Sequence, residues 1–340
     1  MSDSLNDSMY NFSDADVILM AFRHNFHQFG YTNAILLSLY LPIFVIALVG
    51  NLLVMITITV QERPWRAKHV YLLNLAVSDL LVTLICMPCT AVTIIYRLWL
   101  SGLGMCKLAA FLQGVAVATG IFTLTGMSVD RYLFIQNPSH THWKSARLHA
   151  ILLTIFTWST SAIFMSPQLY VRIIDTLNMP NLSPMTFCIE SWPNNHDRQV
   201  FGWLLLFLVY VFPVSIVVVC YVNVGKMLCF YATSSESSST NTGTYIFCRK
   251  RAAQVLVLLV GLFICCWLPY NIMSLLIDQW HMVSLVQFLP FALWLGHAHS
   301  AVNPLLYWAT NRKFREMIAR LCRKSRMCAS DERKPRPHRV

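Results

Sequence analysis

The sequence predicts an all-α membrane protein: seven membrane-spanning helices, a short amphipathic eighth helix, and a β-hairpin in the second outer loop. Three observations carry that expectation. The 340 residues are 56% hydrophobic and only 12% charged, whereas soluble domains carry about 25% charged residues. Mean hydropathy is +0.54. The apolar residues gather into seven stretches, 34–60, 69–96, 106–136, 147–169, 200–229, 250–277 and 286–309, each long enough to cross a hydrocarbon core that takes about 20 residues. Lipid offers a backbone no hydrogen-bond partners, so each stretch must be helical.

Charge sets the orientation. Asp3, Asp7, Asp14 and Asp16 dominate residues 1–33, where Arg23 is the only basic residue. Arg63, Arg66 and Lys68 follow the first span, Lys144 and Arg147 follow the third, and Arg249, Lys250 and Arg251 open the sixth. Arg312, Lys313, Arg315, Arg320, Arg323, Lys324 and Arg326 follow the seventh. Basic residues stay on the cytoplasmic side, which puts the N-terminus outside and the tail inside. The net charge of +11 therefore marks a membrane face rather than a nucleic-acid surface. The opening residues are polar and acidic, without the basic flank and apolar core of a cleavable signal, so the first span is expected to serve as insertion signal. The expected organisation is an outer N-terminal segment over 1–33, a seven-span bundle over 34–309, the amphipathic helix over 310–322 and a basic tail over 323–340.

The loops add chemistry. Asn6-Asp7-Ser8, Asn11-Phe12-Ser13 and Asn181-Leu182-Ser183 are glycosylation sequons, all on the predicted outer face. Of eleven cysteines, only Cys106 and Cys188 stand clearly outside, where oxidising conditions permit a bridge. Cys86, Cys89, Cys220, Cys265 and Cys266 lie within spans as small apolar filler, and no spacing suggests zinc. Cys322 and Cys328, beside basic residues, read equally as palmitoylation sites or free thiols. Tyr170–Ile174 and Phe187–Ile189 are rich in β-branched and aromatic residues with Asn, Pro and Ser between, the pattern of a hairpin. Ser234, Ser235, Ser237, Ser238, Ser239, Thr240 and Thr242 form a low-complexity polar stretch between spans five and six, where phosphates would add dense negative charge. Phe314, Met317, Ile318 and Leu321 make an apolar stripe opposite basic residues, suited to lie on a leaflet of membrane lipid.

The motifs, taken in order, are Gly50-Asn51, Leu75-Ala76-Val77-Ser78-Asp79-Leu80, Trp99 with Gly102, Cys106, Asp130-Arg131-Tyr132 and Trp158. They continue with Pro213 and Tyr221, Phe263 with Cys266-Trp267-Leu268-Pro269, and Asn303-Pro304 with Tyr307. From about Asn33 to Cys322 the chain resembles rhodopsin-like (class A) G-protein-coupled receptors. The resemblance implies a receptor for an outside ligand that signals to a heterotrimeric G protein, with arrestin and receptor kinases as further partners. It implies roles for Asp130, Arg131, Tyr132, Tyr221, Asn303, Pro304 and Tyr307 in coupling, and for Ile121, Pro213, Phe263 and Trp267 in transmission. No nucleophile–base set or cofactor loop is present, so no enzyme and no cofactor is expected.

Physical chemistry gives several of these positions meaning on its own. Asp79 is a lone carboxylate within a span, a functional position by default, and Asn51 and Asn303 are its expected partners. Relatives bind sodium there, but Gly120 and His299 depart from the usual donor set, which argues against carrying sodium over. Pro213, Pro269 and Pro304 each remove a backbone bond and kink their helices. Arg131 is expected to pair with Asp130 at rest, without a second acidic partner at the base of span six.

The ligand class follows from the expected pocket. Gln113 stands where amine receptors carry an aspartate, and His297 stands where light receptors carry a lysine, so both classes are excluded. Gln113 with Thr90 resembles the pocket floor of receptors for amidated peptides, the neuropeptide FF, orexin and neuropeptide Y groups. A glutamine both donates to and accepts from a terminal amide. Asp278 matches an acidic position that pairs with a ligand arginine, and Cys188-Ile189-Glu190-Ser191-Trp192 resembles the loop of RF-amide receptors. The expected binding residues are Thr90, Gln113, Glu190, Asp278 and His297, with Glu190, Asp278, Asp175 and Asp197 forming a negative rim that steers in a cationic peptide. Two other readings compete: a receptor of this fold for a lipid or other small molecule, and a seven-span transporter.

Overall fold

The computed structural model describes residues 31–61, 66–136, 143–178, 184–234, 240–280, 282–312 and 314–320. Among them, six helices are long and apolar enough to cross a membrane. They lie in α1 (Tyr31–Gln61), α2 (Ala67–Tyr96), α3 (Gly102–Gln136), α4 (Trp143–Met165), α5 (195–234) and α6 (Thr240–Trp280). A further long helix, α7 (Leu289–Thr310), packs against α1 and α6. It is less apolar because His297, His299, Ser300 and Asn303 fall within it. Residues 314–320 are helical, with Phe314 and Met317 buried against Val54, Ile58 and Ala76.

Two of the helices widen into π turns, Val82–Cys86 in α2 and Phe207–Val211 in α5. Proline explains both. Pro88 and Pro213 each follow by two residues, and a proline ring clashes with the carbonyl four residues back. Those carbonyls belong to Leu84 and Val209, both inside the widened turns. The α3 helix begins at Gly102 rather than at the expected 106. Gly102 holds φ at +74°, a conformation glycine adopts without the penalty of a Cβ, and its carbonyl accepts the Trp99 indole N–H at 2.8 Å.

The core runs down the bundle axis. Ile121, Leu124, Phe263 and Trp267 are buried in one cluster. Close helix approach depends on Gly50, where an added Cβ would stand 2.6 Å from the Pro304 Cβ.

The hairpin forms as an antiparallel pair, β1 (Arg172–Leu177) and β2 (Met185–Glu190), with Arg172 facing Glu190. Tyr170, expected to open the first strand, instead lies in a helical turn, Pro167–Val171. Proline at the first helical position favours that turn. The hairpin is fastened to α3 by the Cys106–Cys188 disulfide. It is also tied to the first outer loop, where Trp99 N–H donates to the Thr186 carbonyl at 2.8 Å and the Thr186 hydroxyl donates back at 2.6 Å.

The polar stretch expected between spans five and six is shorter than its composition suggests. Helix α5 continues to Ser234 and α6 starts at Thr240, because low apolarity marks where lipid ends rather than where a helix ends. The sequon asparagines Asn6, Asn11 and Asn181 and the thiol of Cys322 lie outside the described residues.

Candidate ligand cavity and relay

A cavity of about 350 Å³ lies between the outer halves of the helices and the hairpin. Four of the five expected binding residues, Thr90, Gln113, Glu190 and Asp278, line it. Thr90 comes from α2, where its hydroxyl donates to the Cys86 carbonyl at 2.9 Å. Its oxygen lone pairs stay available, since a hydroxyl both donates and accepts. Gln113 reaches in from α3, its Oε1 3.4 Å from His297 Nε2.

His297 corrects the expectation. It is fully buried and does not line the cavity. Its Nδ1 meets the Tyr40 hydroxyl at 3.1 Å, and its ring stands edge-on to Trp267 with centroids 6.0 Å apart. The imidazole thus faces α1 and α6 and acts as a wedge behind Gln113.

The outer end of the cavity also differs from expectation. Glu190 Oε1 lies 2.5 Å from Arg172 Nη2, the residue opposite it in the hairpin. Gln168 joins them, accepting from Arg172 Nε at 2.9 Å and donating to Glu190 Oε1 at 3.4 Å. Glu190 Oε2 accepts the Trp192 indole N–H at 3.0 Å. Asp278, near the end of α6, lies 2.6 Å from Arg198 Nη2 in the first turn of α5, and Arg198 Nε is 3.8 Å from Glu190. Among the described residues the lining therefore holds two carboxylates and two guanidinium groups, a balanced set where a negative rim was expected. Arg172 and Arg198 are not among the binding residues expected from the sequence. The signal was present, since basic residues on the outer side run against the charge bias and need a local reason.

Beneath the cavity the packing is tight. A Cβ added to Gly296 would stand 2.7 Å from the Trp267 ring, so α6 and α7 meet at the indole. Trp267, Phe263 and Ile121 belong to one buried cluster, and Pro213 is buried on α5. Asn271 ties α6 to α5, donating to the Tyr210 hydroxyl at 2.6 Å.

Farther in, Asp79 accepts from Asn303 Nδ2 at 2.6 Å, with His299 Nδ1 4.0 Å away. Asn51 does not reach the carboxylate as expected. It donates instead to the carbonyls of Ala47 and Ser300, at 2.8 and 3.0 Å, joining α1 to α7. A second chain of bonds runs from the Trp158 indole to Asn74 and on to the Thr123 hydroxyl, both at 2.6 Å. At the cytoplasmic end, Asp130 accepts the Tyr71 hydroxyl at 2.5 Å. The expected pair with Arg131 is not among the described ion pairs, because the carboxylate turns to α2. Tyr132 is half-buried, the Tyr221 hydroxyl is buried without a hydrogen-bond partner among the described residues, and Tyr307 packs on Phe314 with centroids 4.9 Å apart.

Residues 50–307 match the model of the 7 transmembrane receptor (rhodopsin family). The chain belongs to that family. Rhodopsin-family receptors are multi-span membrane proteins of the plasma membrane and not enzymes. Among individual proteins, this receptor is 31% identical over 300 residues to neuropeptide FF receptor 1 of Rattus norvegicus, covering 83% of this chain and 68% of the relative. It is 28% identical over 331 residues to neuropeptide Y receptor type 6 of Oryctolagus cuniculus, covering 93% and 88%. It is 26% identical over 325 residues to the RYamide receptor of Drosophila melanogaster, covering 92% and 68%. The receptor is thus related to the neuropeptide FF and neuropeptide Y receptor group.

Proposed function

We propose that this receptor binds a C-terminally amidated, arginine-containing peptide outside the cell and signals through a heterotrimeric G protein inside it. One observation carries the reading. A single cavity brings Gln113 and Thr90 together with Glu190 and Asp278, an amide-complementary pair deep in the bundle and two carboxylates near its outer end. The names of the related receptors, for neuropeptide FF, neuropeptide Y and RYamide, fit a peptide of that kind. In this reading α7 is the seventh span, residues 310–322 form the amphipathic helix on the membrane, and Cys322 carries a palmitoyl group. Asn6, Asn11 and Asn181 carry glycans on the outer face, within a segment 1–33 that precedes the 34–309 bundle, and 323–340 is a cytoplasmic tail.

The cycle then runs from outside to inside. The peptide amide meets Gln113 and Thr90, and the load on Gln113 passes to His297 and Trp267. Trp267 shifts against Gly296 and moves α6 about its Pro269 break. Opening the cytoplasmic end turns Arg131 toward the G protein, with Tyr221 and Tyr307 beside it, and arrestin and receptor kinases act on the same opened face. The experiment is a panel of amidated peptides applied to cells expressing the receptor, read by calcium and cAMP. An arginine-containing amidated peptide should signal, and its free-acid form should be weaker by about tenfold, the size of one lost hydrogen bond. A response confined to lipids or other small molecules would overturn the reading.

A further inference from the structure

Asp278 is where the proposed function seats a ligand arginine, yet in the free receptor it already faces one. Arg198 Nη2 stands 2.6 Å from Asp278 Oδ1. The contact is close but poorly aligned: Asp278 Oδ1 and Arg198 Nε are both buried without a hydrogen-bond partner among the described residues. The Asp278 side chain is only 10% exposed, whereas that of Arg198 is 40% exposed. A nearly buried carboxylate is therefore closed off by a guanidinium that water can still reach.

Arg198 has somewhere else to go. Its Nε is already 3.8 Å from Glu190 Oε2. An ionised carboxylate offers about four acceptor positions, and Glu190 spends those it uses on Arg172, Gln168 and Trp192. A small rotation of the Arg198 side chain thus exchanges one carboxylate for the other without leaving its charge unpaired.

We propose that Arg198 is the specificity-determining residue of the guanidinium subsite: it fills the place at Asp278 in the free receptor, and a ligand guanidinium binds by displacing it toward Glu190. The inference rests on the peptide reading above and adds the competitor that any ligand must beat. A planar guanidinium can replace another one in kind, whereas an ammonium lacks the two-pronged geometry. The subsite therefore selects arginine over lysine, and neutral side chains gain nothing from it.

The test uses the full-length receptor in lipid nanodiscs, with arginine amide as the probe and lysine amide as its control. Binding is followed by titration calorimetry and by thermal shift. Arg198→Ala and the bulk-preserving Arg198→Gln should both bind arginine amide about tenfold or more tighter than the native receptor. That gain should vanish in Arg198→Ala/Asp278→Ala, and lysine amide should gain less. Equal or weaker binding by both variants, or no measurable binding to any of them, would overturn the proposal. So would a gain that survives the loss of Asp278. The two readings fail separately: a subsite that behaves as described in a receptor deaf to amidated peptides would sink only the peptide assignment. A receptor that answers such peptides, with no gain at Arg198, would sink only the subsite.

Discussion

The outer and inner ends of this receptor both bury carboxylates, and they satisfy them by opposite means. At the cavity, Glu190 and Asp278 face the guanidinium groups of Arg172 and Arg198. Toward the membrane interior and the cytoplasmic end, Asp79 takes an amide N–H from Asn303, and Asp130 takes a hydroxyl from Tyr71. The difference follows from access to water. A cation beside the cavity keeps part of its hydration, as the 40% exposure of the Arg198 side chain illustrates, and it can swap partners at low cost. Within the helices a paired ion would cost several kcal/mol of desolvation per charge, so neutral donors serve instead. The outer set is built to exchange partners and the inner set to hold helices in place.

The largest expected effect comes from uncoupling the hairpin that carries half of the outer set. Cys106→Ala removes the disulfide that ties the hairpin to α3 and should cost ~2–5 kcal/mol of stability. Ligand response should fall with it, measured by thermal denaturation and dose–response. Asn303→Ala addresses the inner set. It strips the Asp79 carboxylate of its 2.6 Å donor and should cost ~1–3 kcal/mol. An unchanged melting temperature in nanodiscs would show that the inner carboxylate does not hold helices as described.

Much of this contrast was legible in the sequence, but only by halves. The pairing of Asp79 with Asn303 was expected, because lone polar groups inside spans must find each other. The cavity residues Thr90, Gln113, Glu190 and Asp278 were also expected and do come together. Arg198 was not, since residues 198 and 278 are far apart in the chain and nothing in their spacing shows that α5 and α6 bring them within 2.6 Å. Tyr71 was missed for the same reason. A tyrosine in an apolar helix reads as core, and its use as the donor to Asp130 appears only when α2 and α3 are side by side. His297 was placed in the pocket by its position on α7, but the ring turns toward Tyr40 and Trp267 instead. Helix existence was the easiest feature to read, because lipid permits little else. Helix ends beyond the membrane, as at Ser234 and Thr240, were the hardest.

A smaller effect sharpens the inner half. Tyr71→Phe removes the hydroxyl on Asp130, worth about 1 kcal/mol net, and leaves the carboxylate to Arg131. Basal nucleotide exchange should fall several-fold, with ligand affinity unchanged. The smallest expected effect separates the two ends directly. Raising ionic strength from 0.05 to about 0.5 M shortens the screening length well below 10 Å. The outer pairs, reached by water through the Arg198 side chain, should weaken by a few tenths of a kcal/mol while the inner bonds stay as they are. Agonist binding should therefore depend on salt, and basal exchange should not.

The most direct measurement is peptide-stimulated nucleotide exchange on a heterotrimeric G protein, using the receptor in nanodiscs and an amidated peptide that ends in Arg-Phe. The native receptor should stimulate exchange in a dose-dependent way, and Asp278→Ala should need at least about tenfold more peptide, in line with the loss of a desolvated ion pair. Superimposable curves for the two receptors, or no exchange from the native one, would contradict the account.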